Sequence, residues 1–237
     1  MKIRLFEIFT SVEGEGILYG TKTLFVRLAG CPFTCFYCDT KESLPLDSGK
    51  EYNLQEACQL IDSNLKKQTY KVNFTGGDPL IQHEAVAELA KYVQGKKIPT
   101  YLESSCFDSD RFNHVLPFID IVKIEFKTKD SKFVDSKHYE RLIENAMNCL
   151  KSSVSERKTT YIKIVVSSKT ELSEFTNLVS SIFNSVSKNQ IDGFIIQPTY
   201  GIAEPSLDLL LDLYDIVFPF YPDVKVVPQL HKFIGAP

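Results

Sequence analysis

Three cysteines fall within eight residues, in the run Gly30-Cys31-Pro32-Phe33-Thr34-Cys35-Phe36-Tyr37-Cys38-Asp39-Thr40. Three thiolates at Cys-x3-Cys-x2-Cys spacing on one short loop can converge on a single soft metal centre. A structural zinc site wants four ligands, and the run that serves two-cluster ferredoxins adds a fourth cysteine followed by proline. Here the other cysteines are remote. Cys58 and Cys149 fall on apolar helical stripes and read as core thiols, and Cys106 reads as a small packing residue near a strand end. A cubane held by three cysteines leaves one iron without a protein ligand, open to a small molecule. A non-catalytic zinc or iron–sulfur interaction module would use the same residues; about four irons and four sulfides per chain would exclude the zinc form.

Further polar residues recur where short apolar runs end. Thr75-Gly76-Gly77-Asp78-Pro79 follows one such run, and paired glycines let a polar ligand approach the main chain with no Cβ in the way. Glu103-Ser104-Ser105, Lys127 and Gln197-Pro198 close three others. Buried charge or amide at such places needs partners, which a polar cofactor supplies. Each also has a plainer reading. Gly-Gly serves a strand-to-helix turn, Glu13 and Glu15 are solvated charges, Arg27 pairs with a structural carboxylate, and Thr40 caps the next segment. His83, His114 and His138 receive no role.

The elements that must position these residues alternate along the chain. Strand-like runs are Thr23 to Ala29, Lys71 to Thr75, Thr100 to Glu103, Ile121 to Phe126, Tyr161 to Val166, Gly193 to Gln197 and Val224 to Val227. They look like buried strands of a parallel sheet. Between them lie helical stripes: Leu54, Ala57, Cys58, Ile61 and Leu65; Ala85, Leu89 and Val93; Leu142, Ala146, Cys149 and Leu150; Leu207, Leu210, Leu211 and Tyr214. The class is α/β with right-handed crossovers, and functional groups should gather at the carboxyl ends of the strands. Lys41 to Lys50 and Ser152 to Lys158 read as surface loops.

The 237 residues carry 27 Lys+Arg against 30 Asp+Glu, a net charge of −3, with 43% hydrophobic residues. This excludes disorder and small disulfide scaffolds, and argues against a duplex-binding protein. One domain over residues 1–237 is expected. Arg4 and Glu7 break any signal-peptide core, and no apolar run approaches the ~18 residues of a membrane span. The expected compartment is the cytoplasm, with no membrane or direct nucleic-acid partner.

The cysteine spacing, with aromatic Tyr37 just before the last cysteine, resembles the signature of the radical S-adenosylmethionine superfamily, and Thr75 to Pro79 resembles its Gly-Gly-Glu-Pro motif, with Asp78 in place of Glu. Phe9 to Gly16 (FTSVEGEG), Arg27, Cys38-Asp39-Thr40 and the tail from Gln229-Leu230-His231-Lys232 to Pro237 resemble the 7-carboxy-7-deazaguanine synthase family over nearly the whole chain. The resemblance implies a compact, modified partial (βα)6-type TIM barrel and a lyase that contracts 6-carboxy-5,6,7,8-tetrahydropterin, with loss of ammonia, on the way to queuosine or archaeosine. It implies a [4Fe-4S] cluster on Cys31, Cys35 and Cys38, S-adenosyl-L-methionine held by Gly77, Glu103, Lys127 and Gln197, and Mg2+ on Thr40. It places the pterin on Val12, Glu13, Gly14, Arg27, Thr75, His231 and the carboxylate of Pro237. A one-electron donor such as flavodoxin or ferredoxin and a homodimer are implied too. The chain departs from the family at Glu13, often Gln; at Glu125-Phe126-Lys127, often Ser-Pro-Lys; and at Cys106, often Gly. A glycyl-radical-enzyme activating protein, which shares the cysteine spacing, is the rival within the superfamily.

Overall fold

The computed structural model describes residues 1–131 and 136–236. Its strands are β1 (Ile3–Val12), β2 (Lys22–Leu28), β3 (Lys50–Tyr52), β4 (Lys71–Gly76), β5 (Thr100–Ser104), β6 (Ile121–Phe126), β7 (Thr159–Val166), β8 (Gly193–Pro198) and β9 (Lys225–Val226). Its helices are α1 (Leu54–Asn64), α2 (His83–Gly95), α3 (Ser109–Val115), α4 (Ser136–Ser155), α5 (Leu172–Ser185), α6 (Leu207–Val217) and α7 (Leu230–Ile234). The strands form one open sheet in the order β3-β1-β2-β4-β5-β6-β7-β8-β9. From β2 to β9 all neighbours are parallel, whereas β1 runs antiparallel to both β2 and β3. β2, β4, β5, β6, β7 and β8 are each followed by a helix, α1 to α6 in turn, which is the expected partial (βα)6 arrangement.

Period-two alternation gives each central strand two different faces. Val72 and Phe74 of β4, and Val122, Ile124 and Phe126 of β6, join the apolar core. The opposite face carries Lys71, Asn73 and Thr75 on β4, Lys123 and Glu125 on β6, and Lys163 on β7, all buried. The runs are buried, as expected, but this second face is largely polar, and a small cluster of Tyr101, Ile121, Tyr161 and Ile195 packs within it.

Several elements differ from the sequence expectation. β1 and β3 were not anticipated, nor were α3, α5 and α7, although Phe175, Leu178, Val179 and Ile182 form the buried stripe of α5. Ser152 to Lys158 is not all loop: α4 runs to Ser155, where Ser153 Oγ lies 2.7 Å from Thr160 Oγ1 and is buried. Lys41 to Lys50 contains two short 3-10 turns and ends as the first residue of β3.

Candidate active site

The cysteine loop leaves the carboxyl end of β2 and is pinned at its root by backbone. Gly30 N donates to Ser43 O at 2.9 Å, and Gly30 O accepts from Asp78 N at 2.7 Å. The Gly76-Gly77 turn fits against that root. A Cβ on Gly76, at φ +149°, would stand 2.1 Å from Leu28 O, and one on Gly77 would stand 2.5 Å from Gly30 O. The glycines are therefore required by the chain's own close approach, whatever ligand they also admit. Asp78 is buried and structural. It accepts from Leu80 N at 3.0 Å, Ser104 Oγ at 2.9 Å, Ser105 N at 2.8 Å and Ser105 Oγ at 2.6 Å, tying the ends of β4 and β5 together.

Cys31, Cys35 and Cys38 are free thiols that open onto one cavity of about 480 Å³, within the range of small-molecule sites. Burial pushes the Cys31 thiol up to about 12, helped by Asp78, and raises Cys35 and Cys38 as well. A bound metal cation would favour the thiolate form that burial otherwise disfavours. Gly77, Glu103, Lys127 and Gln197 line the same cavity. Glu103 accepts from Asn73 Nδ2 and Tyr101 Oη, both at 3.0 Å. Lys127 ion-pairs with Glu125 and lies 3.3 Å from Tyr37 Oη. Gln197 Nε2 donates to Glu15 at 3.1 Å, while its buried Oε1 has no partner among the described residues. Three thiols opening onto one cavity, a lysine and an orphaned amide oxygen suit a cluster and a polar nucleoside ligand.

Val12, Glu13, Gly14, Arg27, Thr40, Thr75 and His231 also line this cavity; Pro237 lies outside the described residues. Arg27 Nε donates to Glu7 at 2.7 Å, which leaves both Nη groups without a partner among the described residues. Glu13 is not a solvated charge. Its Oε2 accepts from Lys71 Nζ at 2.8 Å and from Asn73 Nδ2 at 3.3 Å, and burial, with Glu103 nearby, pushes its carboxyl up to about 7 against the pull of Lys71. Nor is Glu15 solvated, for it accepts from Lys163 Nζ at 2.5 Å. Thr40 precedes a short turn without capping it, its hydroxyl lying 3.3 Å from Asp39 Oδ1.

Asp39 gathers the carboxyl-terminal segment. Its Oδ2 accepts from Gln229 Nε2 at 3.2 Å and faces His231 Nε2 and Lys232 Nζ, each at 3.4 Å. Against the effect of burial, the hydrogen bond from His231 and the charge of Lys232 hold Asp39 below the usual carboxylate range. Leu230 N donates to Gly14 O at 2.9 Å, and a Cβ on Gly14 would stand 2.1 Å from His231 Nδ1, so only glycine lets His231 approach.

Sequence reasoning missed Lys123, Glu125, Lys163 and Glu15 in this cavity. The signal was present as polar residues at every second position, Lys71-x-Asn73-x-Thr75 and Lys123-x-Glu125-x-Lys127, which marks one face of a strand.

The profile of the 4Fe-4S single cluster domain matches residues 12–148. The 7-carboxy-7-deazaguanine synthase of Archaeoglobus fulgidus is 31% identical over 243 aligned positions, covering all of both chains. That of Methanocaldococcus jannaschii is 27% identical over 97% of this chain and 98% of its own. The crystal structure of QueE from Escherichia coli superposes with a TM-score of 0.67 at 18% identity, covering 98% of this chain and 95% of that one, which speaks to the fold.

Proposed function

The chain belongs to the 7-carboxy-7-deazaguanine synthase family, and from that premise we propose how its own residues serve the radical contraction of 6-carboxy-5,6,7,8-tetrahydropterin to 7-carboxy-7-deazaguanine with loss of ammonia. It is a radical S-adenosylmethionine enzyme. The full-length relatives leave no support for the glycyl-radical activase or the zinc module. The observation that carries the residue assignments is that cysteines, glycine turn, Arg27 and His231 all open onto one cavity.

Cys31, Cys35 and Cys38 would hold a [4Fe-4S] cluster, which with S-adenosyl-L-methionine supplies the radical. Gly77, Glu103, Lys127 and Gln197 would line the S-adenosylmethionine side; the unpartnered Gln197 Oε1 can accept from a ligand N–H or O–H. Arg27 would bind the pterin carboxylate through its free Nη pair, because a guanidinium fork matches two carboxylate oxygens. Glu13 would face the ring beside Val12 and Gly14, with Thr75 at the end of β4 and His231 closing the other side. Thr40, next to Asp39, offers the hard oxygen that Mg2+ prefers. Bound in this cavity, the ligands would be enclosed by these residues and shielded from water, which would protect a reactive intermediate.

A flavodoxin- or ferredoxin-type carrier would supply the electron, the exposed Leu207 and Leu211 on α6 favour a homodimer, and a cytoplasmic setting suits free thiols. No helix among the described residues is long and apolar enough to cross a membrane. Anaerobic turnover of 6-carboxytetrahydropterin with S-adenosylmethionine and dithionite, followed by mass spectrometry, tests the function. The deazaguanine product is expected, and its absence from enzyme with a full cluster would refute the reading.

A further inference from the structure

The cavity is girdled by one run of polar contacts that begins and ends on the cysteine loop. Tyr37 Oη lies 3.3 Å from Lys127 Nζ, and Lys127 pairs with Glu125. Glu125 Oε2 lies 3.2 Å from Lys163 Nζ, and Lys163 donates to Glu15 Oε2 at 2.5 Å. Glu15 Oε1 accepts from Gln229 Nε2 at 2.8 Å, which also reaches Asp39 at 3.2 Å. Tyr37 and Asp39 flank Cys38, so the belt closes on itself through the loop.

Lys163 stands midway, with its side chain only 4% exposed, and its ammonium is shared between a carboxylate on each side. Glu125 is shared as well, among Lys123, Lys127 and Lys163. In so dry a place each contact competes with the next for the same charge, and a change at one end alters the strength of its neighbours.

We propose that Lys163 is a positioning residue that couples the binding of S-adenosylmethionine to the binding of the pterin. This rests on the assignment of Lys127 to the S-adenosylmethionine side and of the 12–14 segment and carboxyl-terminal segment to the pterin side. A ligand carboxylate that draws Lys127 from Glu125 leaves Glu125 to pull harder on Lys163. Lys163 then loosens its hold on Glu15, freeing Glu15 and Gln229 to accept and donate to the pterin. Because each ligand favours the same arrangement of the belt, each tightens the other, and by linkage the effect is reciprocal.

Equilibrium dialysis of the anaerobic, cluster-loaded and unreduced enzyme tests this without turnover. Labelled S-adenosylmethionine is titrated with and without saturating 6-carboxytetrahydropterin. In the wild type the pterin is expected to tighten S-adenosylmethionine by about 5-fold or more. In Lys163→Met that ratio should fall to about one, and Lys163→Arg should restore most of it. A merely structural role would weaken both ligands and keep the ratio. If Lys163→Met fails to fold because Glu125 and Glu15 each lose a cation, Glu15→Gln cuts the belt at the next link and should also abolish the ratio. Retention of the wild-type ratio in the folded variant, or a wild-type ratio of one with both ligands bound, would overturn the proposal. Failure of the wild type to bind the pterin at all would instead overturn the functional reading beneath it.

Discussion

Arg27 keeps its guanidinium fork available because only Nε is spent, on Glu7. Truncation to Ala should raise KM for the pterin about 10- to 100-fold with a smaller effect on kcat, the pattern of lost charge-assisted binding in steady-state kinetics. Replacing Cys31, Cys35 and Cys38 together by Ala should abolish cluster assembly, and an iron–sulfur absorbance that survives would refute the ligand set. Glu13 makes a different prediction. Its carboxyl sits at about 7 in the folded chain against an ordinary 4.5, because burial outweighs the pull of Lys71. A raised value means that Glu13 adds stability below about pH 4.5, and that this contribution is lost as pH rises through about 7. Relative to Glu13→Gln, which cannot titrate, the wild type should therefore lose stability between pH 5 and pH 8, by an amount on the order of a few kcal/mol. Anaerobic thermal melts of both proteins across that range check it; a parallel pair of curves would be contrary.

Among the elements, the junction between the cysteine loop and the β4 turn is the tightest. Gly77 has an ordinary negative-side backbone, so its need for glycine is steric alone: a Cβ would press on Gly30 O. Gly77→Ala must push the loop root aside, at about 1–3 kcal/mol by the usual cost of overpacking. It should lower both the melting temperature and the iron content per chain after reconstitution, whereas an alanine at exposed Gly95, at the end of α2 with nothing within 4 Å, should spare the iron content. The antiparallel β1 matters for a related reason. It brings residues 12–15 back to the mouth of the parallel strands, through seven register pairs with β2. Its own sequence did not announce it, because after Ile3 and Leu5 its residues are only partly buried and the alternation fades. α5, by contrast, was overlooked although Phe175, Leu178, Val179 and Ile182 make a clean stripe in its sequence.

Across the whole molecule, residues far apart in sequence close one cavity. Asp39 holds Gln229, His231 and Lys232 over residues 14 and 15. Asp39→Asn removes the charge that both His231 and Lys232 face. Hydrogen exchange over residues 229–234 should accelerate, and KM for the pterin should rise, while the far-side helix α2 keeps its protection. Unchanged exchange in the segment would mean that Leu230 N on Gly14 suffices. The sequence by itself determined the cysteine spacing, the Gly-Gly turn, the strand runs from Thr23 onward with four of the helical stripes between them, and the strand ends where polar residues fall. Those features are local, set by spacing and periodicity within a few residues. Only the tertiary structure decided what faces what: that Glu13 is buried on Lys71, that Asp78 is an internal tie, and that Glu15, Glu125 and Lys163 form one belt. A charge in a strand reads the same whether it meets water or a counter-ion from 148 positions away, as Lys163 meets Glu15, and that choice is made by the tertiary arrangement rather than by its neighbours in the chain.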